Sequence, residues 1–419
     1  MTKGFKRSLA LAAAGTFCLL PLTSSLAAPP AKSEIEQLKQ QVQQLMQQNQ
    51  QLNQRLNEME KGMQAQPVVD KTAIEEEVAR QVKEKSSGPG INEFVSLSGV
   101  IEGDYKLGKD FQGDHSSEFV LDTVDLIFDL KVTDWATGKI VVEYDGTEGN
   151  EDIYIDEAHV TLGNTESFPF FLTGGKLYVP FGDFSTNMIQ DPLTQTLGET
   201  NSAGVIAGFE KNGFTATVFS YNGMNEGDDP ADEDNDSING FGASLGYSYE
   251  QEEMGFKVGG AWINNIADAD NTTDILEDSG IYTLRDQVPG LSLNLGANYK
   301  AFSLITEYIT ALDSFDAGEL AYGAPGAEVG AEPAAWNTEL AYATAILDKE
   351  TVFAIGYQRS WEAVALELPE HRYIAATSFG IFDGTTLTFE YFHDEDYSIA
   401  DGGTDNSGHG FTTRLTYEF

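Results

Sequence analysis

Five histidines, one cysteine and 67 carboxylate residues are the groups in this 419-residue chain from which chemistry would have to be built. His115, His159, His371, His393 and His409 are widely spaced and form no His-Glu-x-x-His run, so they offer no tight transition-metal site. His371 and His409 fall on or near predicted strands, yet no motif beside them singles out a serine nucleophile, and the chain does not read as an enzyme. Asp228, Asp229, Asp232, Glu233, Asp234 and Asp236 crowd into one segment, where Asp232, Asp234 and Asp236 match the opening of a calcium loop. The position where an EF-hand requires glutamate is Ala243, inside a predicted strand, so the cluster reads as a solvated loop. Neither a cofactor nor a metal site follows from these residues.

Charge set along a path is the remaining possibility. Asp183, Asp191 and Glu199 share one long polar segment, with Lys176 just ahead of it. Glu143, Lys257, Glu307, Glu339, Arg372, Glu390 and Arg414 each alternate with apolar neighbours. A charged residue facing lipid near mid-membrane costs about 2–4 kcal/mol, so in a barrel these groups should face a watery lumen. There they would select what passes, while Lys176, Asp183, Asp191 and Glu199 are the candidates for a constriction.

The elements that would position them are strands. Phe411, Thr413, Leu415, Tyr417 and Phe419 share one face of the last segment, and Thr412, Arg414, Thr416 and Glu418 the other. Similar alternating segments begin near Val95, Phe119, Lys139, Ile153, Phe168, Ser202, Gly213 and Gly240, then near Gly255, Leu291, Phe302, Ala335, Thr351, His371, Thr385 and Gly408. That is about sixteen, an even number as single-chain bacterial barrels have. Short turns such as Lys211-Asn212-Gly213 alternate with long polar segments at 106–117, 183–200, 223–237, 264–290, 313–334 and 394–407. This asymmetry suits an antiparallel transmembrane β-barrel over residues 93–419, wide enough to hold water. Lipid-side candidates are Val142, Tyr144, Phe256, Val258, Leu304, Tyr308, Trp336, Leu340, Leu387, Phe389 and Tyr391. Asp122 and Asp156 fall on the apolar side by parity, which places them at the rim or beside a bulge.

The N-terminal part is different. Residues 1–27 read as an export signal: Lys3, Lys6 and Arg7, an uncharged apolar run from Leu9 to Leu22, then Ser25-Leu26-Ala27. Cys18 lies inside that run, so cleavage would leave no thiol for a disulfide, a metal or a nucleophile. Losing three positive residues and no negative one takes the net charge from −43 to about −46, which excludes nucleic acid as a partner. Ile35, Leu38, Val42, Leu45, Asn49, Leu52, Leu56, Met59 and Met63 keep one a/d heptad register, so residues 33–64 are predicted to form a periplasmic α-helical coiled coil. One such helix cannot bury its own seam and must find copies of itself or a partner, so an oligomer is implied, with a homo-oligomer the expectation. Residues 65–92 read as a linker with a short helix capped at Thr72 and Glu75.

Gly175-Lys176-Leu177-Tyr178-Val179-Pro180-Phe181-Gly182, then Asp191-Pro192-Leu193-Thr194 and Leu197-Gly198-Glu199-Thr200, resembles the siderophore porins of the legiobactin-uptake type. The shared block covers about twenty-five residues, although the layout of signal, coiled coil and barrel matches along the chain. The resemblance implies a bacterial outer-membrane porin passing small solutes, ferric siderophores or cations among them, and its kinship with porins implies a trimer. By position, 183–200 is the third outer loop, which folds into the lumen of many porins, and Pro180 and Pro192 would stiffen it. From another class, the chain could be an envelope tether or adhesin with the barrel as its anchor; single-channel conductance separates the two.

Overall fold

The computed structural model describes residues 94–146, 153–227 and 237–419. The expected signal, coiled coil and linker, and the acidic cluster at 228–236, lie outside the described residues.

Sixteen strands form one closed antiparallel barrel, each paired with its neighbours in chain order. They are β1 (Val95–Lys109), β2 (His115–Thr133), β3 (Ala136–Asp145), β4 (Ile153–Asn164), β5 (Phe168–Tyr178), β6 (Asn201–Lys211), β7 (Phe214–Asn222) and β8 (Ile238–Gln251). Then come β9 (Met254–Ile263), β10 (Gly290–Tyr299), β11 (Phe302–Ala311), β12 (Ala334–Ile346), β13 (Lys349–Trp361), β14 (His371–Phe382), β15 (Thr385–Glu395) and β16 (Ser407–Glu418). The terminal alternating strand closes the ring: β16 pairs with β1 from Glu418↔Val100 to His409↔Lys109. Beyond the ladder, Gly99 and the final residue Phe419 exchange backbone hydrogen bonds of 3.0 and 3.1 Å.

Alternation sets the faces. Leu415, Tyr391, Phe389, Ile355, Leu340 and Val258 stand exposed on the outside, while Glu390, Gln358, Glu339, Glu307 and Thr412 point in and are buried. The outer row is a lipid-facing belt; the protein spans the membrane with strands, and no described helix is long and apolar enough to do so. One end of the barrel carries turns of two or three residues. At Asn212-Gly213 both residues have positive φ, 54° and 83°, the tight-hairpin geometry in which asparagine and glycine are favoured. The long connections gather at the other end.

One sequence expectation changes, and one choice between two readings is decided. The predicted loop at 106–117 shrinks to five residues, because β1 and β2 stay paired out to Lys109↔His115 and Tyr105 packs on Phe119 with ring centres 4.7 Å apart. For Asp122 and Asp156 the bulge alternative holds, and both side chains turn inward beside a register shift. The β1–β2 register shifts so that Asp122 has no partner between Thr123 and Leu121, and the β3–β4 register shifts at Asp156 and Glu157. An extra residue in a strand restores the polar side chain to the lumen side.

The barrel is not an evenly open tube. The long loops bring Phe181, Leu193, Leu197, Ile266, Leu276, Leu284, Phe315, Leu320 and Leu366 together with inward wall residues such as Ile263 and Ile309. This apolar core, built from loop residues, fills part of the lumen at the long-loop end.

Candidate permeation channel

The segment after β5 determines what space is left. Tyr178 ends the strand, Pro180 cannot donate to a ladder, and the chain turns inward through Phe184 at a φ of 48°. Pro192 then starts the short helix α1 (Leu193–Gly198), which buries Leu193 and Leu197 in the loop core. Glycine at 198 permits that approach: a Cβ there would lie 2.6 Å from Ile309 Cδ1.

Three wall glutamates and one glutamine hold this loop. Glu307 on β11 accepts from the Asp183 and Phe184 amides at 2.8 and 3.3 Å and from the Thr194 hydroxyl at 2.9 Å. Glu339 on β12 accepts from the Thr186 hydroxyl at 2.7 Å, the Asn187 amide at 2.9 Å and the Asn187 side chain. Glu390 on β15 accepts from the Ile189 and Gln190 amides, and Gln358 on β13 takes the Leu193 amide at 3.0 Å. A non-helical loop cannot satisfy its own N–H groups once it leaves bulk water, so acceptors on the wall fix its path. All three glutamates were expected as lumen-facing groups; the structure makes them anchors beneath the loop, withdrawn from the free passage. Gln358 had no sequence signal beyond a polar side chain at an inward parity position.

With the β11–β15 side occupied, the main opening lies between the loop and the wall from β1 to β6. It is a cavity of about 1040 Å³. The wall contributes Glu102, Asp122, Glu143, Asp145 and Asp156; the loop contributes Asp191 and Glu199; the connection after β9 contributes Asp268, Asp270 and Asp274. Lys106, Lys176 and Arg414 are the basic residues on the same surface. Ten carboxylates therefore face three cations, and those cations are engaged. Arg414 on β16 pairs with Asp104 at 2.8 Å, Glu102 at 2.6 Å and also Asp122, across the seam that closes the barrel. Lys106 holds Asp122 at 2.6 Å, and Lys176 donates to the Ile155 carbonyl at 2.8 Å.

The candidate residues thus separate. Lys176, Asp191, Glu199, Glu143 and Arg414 line the same cavity. Asp183 does not: it pairs with Lys257 at 2.6 Å and bonds Ser185, in a smaller recess of about 210 Å³ against β8 and β9. Arg372 is held by both oxygens of Asp394, each at 2.9 Å. Asp156 and Asp270 were not anticipated. Asp156 accepts from the Tyr178 hydroxyl and the Asn201 side chain at 2.9 and 2.8 Å, while Asp270 accepts from the Asn201 amide at 3.0 Å. Asp270 opens the helix α2 (Asp270–Asp278), in a connection whose sequence carries no periodicity that would aim it at the lumen.

Burial and crowding raise the affinity of the loop acids for protons. Desolvation first, then the charges of Asp191 and Asp270, lift Glu199 from 4.5 to about 7. Desolvation likewise lifts Asp270 to about 6 and raises Asp191.

No family model matches the chain. It is similar to a UPF0422 protein of Coxiella burnetii, 28% identical over 312 residues, covering 73% of this chain and 65% of that protein. A UPF0422 protein of Legionella pneumophila is 25% identical over 343 residues, covering 77% and 63%. The chain thus matches less than two thirds of the length of these curated relatives. Among solved structures, OprB of Pseudomonas putida overlays with a TM-score of 0.55 at 9% identity, covering 78% of this chain and 95% of OprB. The outer membrane channel DcaP of Acinetobacter baumannii gives 0.52 at 15% identity, covering 78% and 97%, and OmpF of Salmonella typhi 0.53 at 12%, also 78% and 97%. The fold is that of the porins. At such identities the likeness concerns architecture, and the lining residues are this chain's own.

Proposed function

We propose that this protein is an outer-membrane porin that passes small solutes, with a preference for cations, through the half of its lumen left open by the inward loop. The observation that carries the reading is the excess of ten carboxylates over three engaged bases around one cavity beside the inward loop. Charge in a confined, partly dehydrated space acts more strongly than in bulk water, and wall charge of one sign admits the opposite sign. The closed barrel, its lipid-facing belt and its likeness to an outer membrane channel support the location.

The test is the reversal potential of the purified protein in a planar bilayer under a salt gradient. Cation preference is expected, and anion preference would overturn the reading. The preference should also depend on pH. Glu199 and Asp270 are charged at about pH 8 and largely protonated near pH 5.5, so selectivity should weaken across that interval. Because folding raises these pKa values, the contribution of both groups to stability is largest at low pH and is lost as pH rises through about 6–7. Unchanged selectivity from pH 8 to 5.5 would place the decisive charge on other groups.

The finer substrate reading is ferric siderophore passage. Its support is the block from Gly175 to Thr200, which forms the strand end, the inward loop and the wall of the cavity. The cavity also lies at the upper end of the roughly 300–1,000 Å³ of sites that enclose drug-sized molecules. An acidic passage favours neutral or cationic iron chelates over anionic ones, so a liposome-swelling panel should rank them in that order. Assembly as a homo-oligomer, a trimer by analogy, would run through the heptad seam at 33–64 in the periplasm. Deleting 33–64 should leave a folded, conducting barrel while crosslinking in native membranes shifts toward monomer. A crosslinked product unchanged by the deletion would remove the seam from assembly.

A further inference from the structure

The outer face of the barrel carries an uneven distribution of basic side chains. In a chain with 24 Lys and Arg against 67 Asp and Glu, four of the five histidines lie on one side of the long-loop rim, together with Arg359 and Lys109. The strand register aligns them. Arg359 on β13 is opposite His371 on β14, His393 on β15 is opposite His409 on β16, His409 is opposite Lys109 on β1, and Lys109 is opposite His115 on β2. All share the outward parity of Ile355, Tyr373, Tyr391, Phe411 and Phe119, which stand exposed in the lipid-facing belt. The band crosses six adjacent strands, roughly 25 Å of rim at the usual strand spacing. By contrast, β6 to β12 have no Lys, Arg or His in the last four residues at their long-loop ends.

Ion pairing within the protein does not account for this band. Among the described residues, Lys109, His115, His393 and His409 belong to no ion pair. Arg359 touches Glu370 at 3.2 Å and His371 approaches the same carboxylate at 3.6 Å, while Glu395 stands opposite His371. The Arg359 Nε remains buried without a hydrogen-bond partner, its guanidinium 4.7 Å from the Trp361 ring centre. Tyrosines surround the band: the Tyr357 hydroxyl is 2.9 Å from His371 Nδ1, and the Tyr391 ring lies 6.4 Å from that of His409. Tyrosine and tryptophan mark the level where acyl chains give way to headgroups.

We propose that this band binds the phosphates of an anionic outer-leaflet lipid, whose acyl chains lie along the aromatic belt below. The complementarity is one of charge and depth. Guanidinium, ammonium and imidazole N–H groups suit phosphate oxygens, and they stand where a phosphorylated headgroup would meet an otherwise acidic protein. The proposal rests on the barrel spanning the outer membrane and not on what passes through it.

The full chain, purified in detergent, is incubated with a bisphosphorylated glucosamine-disaccharide lipid or with its dephosphorylated counterpart, and bound lipid is counted by native mass spectrometry. The native protein should retain the phosphorylated lipid several-fold better. Combined Lys109→Gln, Arg359→Gln and His409→Gln should reduce retention about fivefold or more, since together they remove two cations near an anionic surface and one imidazole N–H donor to phosphate. Lys211→Gln with Lys300→Gln, at the short-turn end, should leave it unchanged. Channel conductance reports folding in every variant, and it also separates failure of the lipid site from failure of the porin reading. Equal retention of both lipids by the native protein overturns the proposal without recourse to any variant. So does a triple variant that keeps its lipid but changes oligomeric mass, which would mark the band as a subunit interface.

Discussion

Replacing Glu307, Glu339 and Glu390 together by alanine should raise single-channel conductance about twofold and make the open level noisy. Each carboxylate satisfies two or three donors on the inward loop, and none of those donors has an alternative acceptor within the loop's own secondary structure. An unsatisfied buried donor costs about 1–3 kcal/mol, so the loop would leave the wall and seek lumen water. Its apolar side, Leu193 and Leu197 against Ile309 and Phe181, would still favour the folded-in position. The expected state is consequently a loop that fluctuates between positions. Glutamine at the three sites is the informative control, because it keeps the volume and one acceptor while turning an NH2 toward backbone N–H groups. It should give an intermediate conductance. A triple alanine variant with native conductance and noise would show that apolar packing alone holds the loop.

The anchors also show where sequence reasoning stops. Glu307, Glu339 and Glu390 could be assigned to the lumen because a two-residue period and the cost of charge in lipid leave no other face. What they meet there was not legible, since their partners lie 124, 152 and 200 residues away in the chain. The barrel itself was legible strand by strand because every strand repeats the same two-sided constraint against lipid and water. Asp122 and Asp156 break that period for a local reason: a bulge adds one residue and reverses parity, which the sequence left as one of two readings. The partly filled lumen was hidden differently. Leu193, Leu276, Phe315 and Leu366 sit singly in polar loops, and only the closed ring brings those loops together. Pro180 and Pro192, read as stiffeners of the third loop, lie where that segment leaves the wall and where its helix begins.

The separation of Asp183 from Asp191 and Glu199 leads to the second large effect, on selectivity. Asp191→Asn with Glu199→Gln should reduce the cation-to-anion permeability ratio several-fold at about pH 8, above the value of about 7 to which Glu199 is lifted. Asp183→Asn should leave the ratio nearly unchanged, because its charge is matched by Lys257 at 2.6 Å and opens onto a different recess. Adding Glu143→Gln to the double variant should lower the ratio further, since that side chain faces the same cavity from β3. Two controls keep this a statement about the passage. Outer-loop charge is screened within about 8 Å at physiological salt, so its contribution should fade as salt rises while that of the lining persists. Arg414→Gln tests the opposite direction: it frees Glu102, Asp104 and Asp122 from their shared cation and should increase cation preference. Selectivity that collapses with Asp183→Asn and survives Asp191→Asn with Glu199→Gln would move the permeating path to the recess beside β8 and β9. The large cavity would then be a closed vestibule.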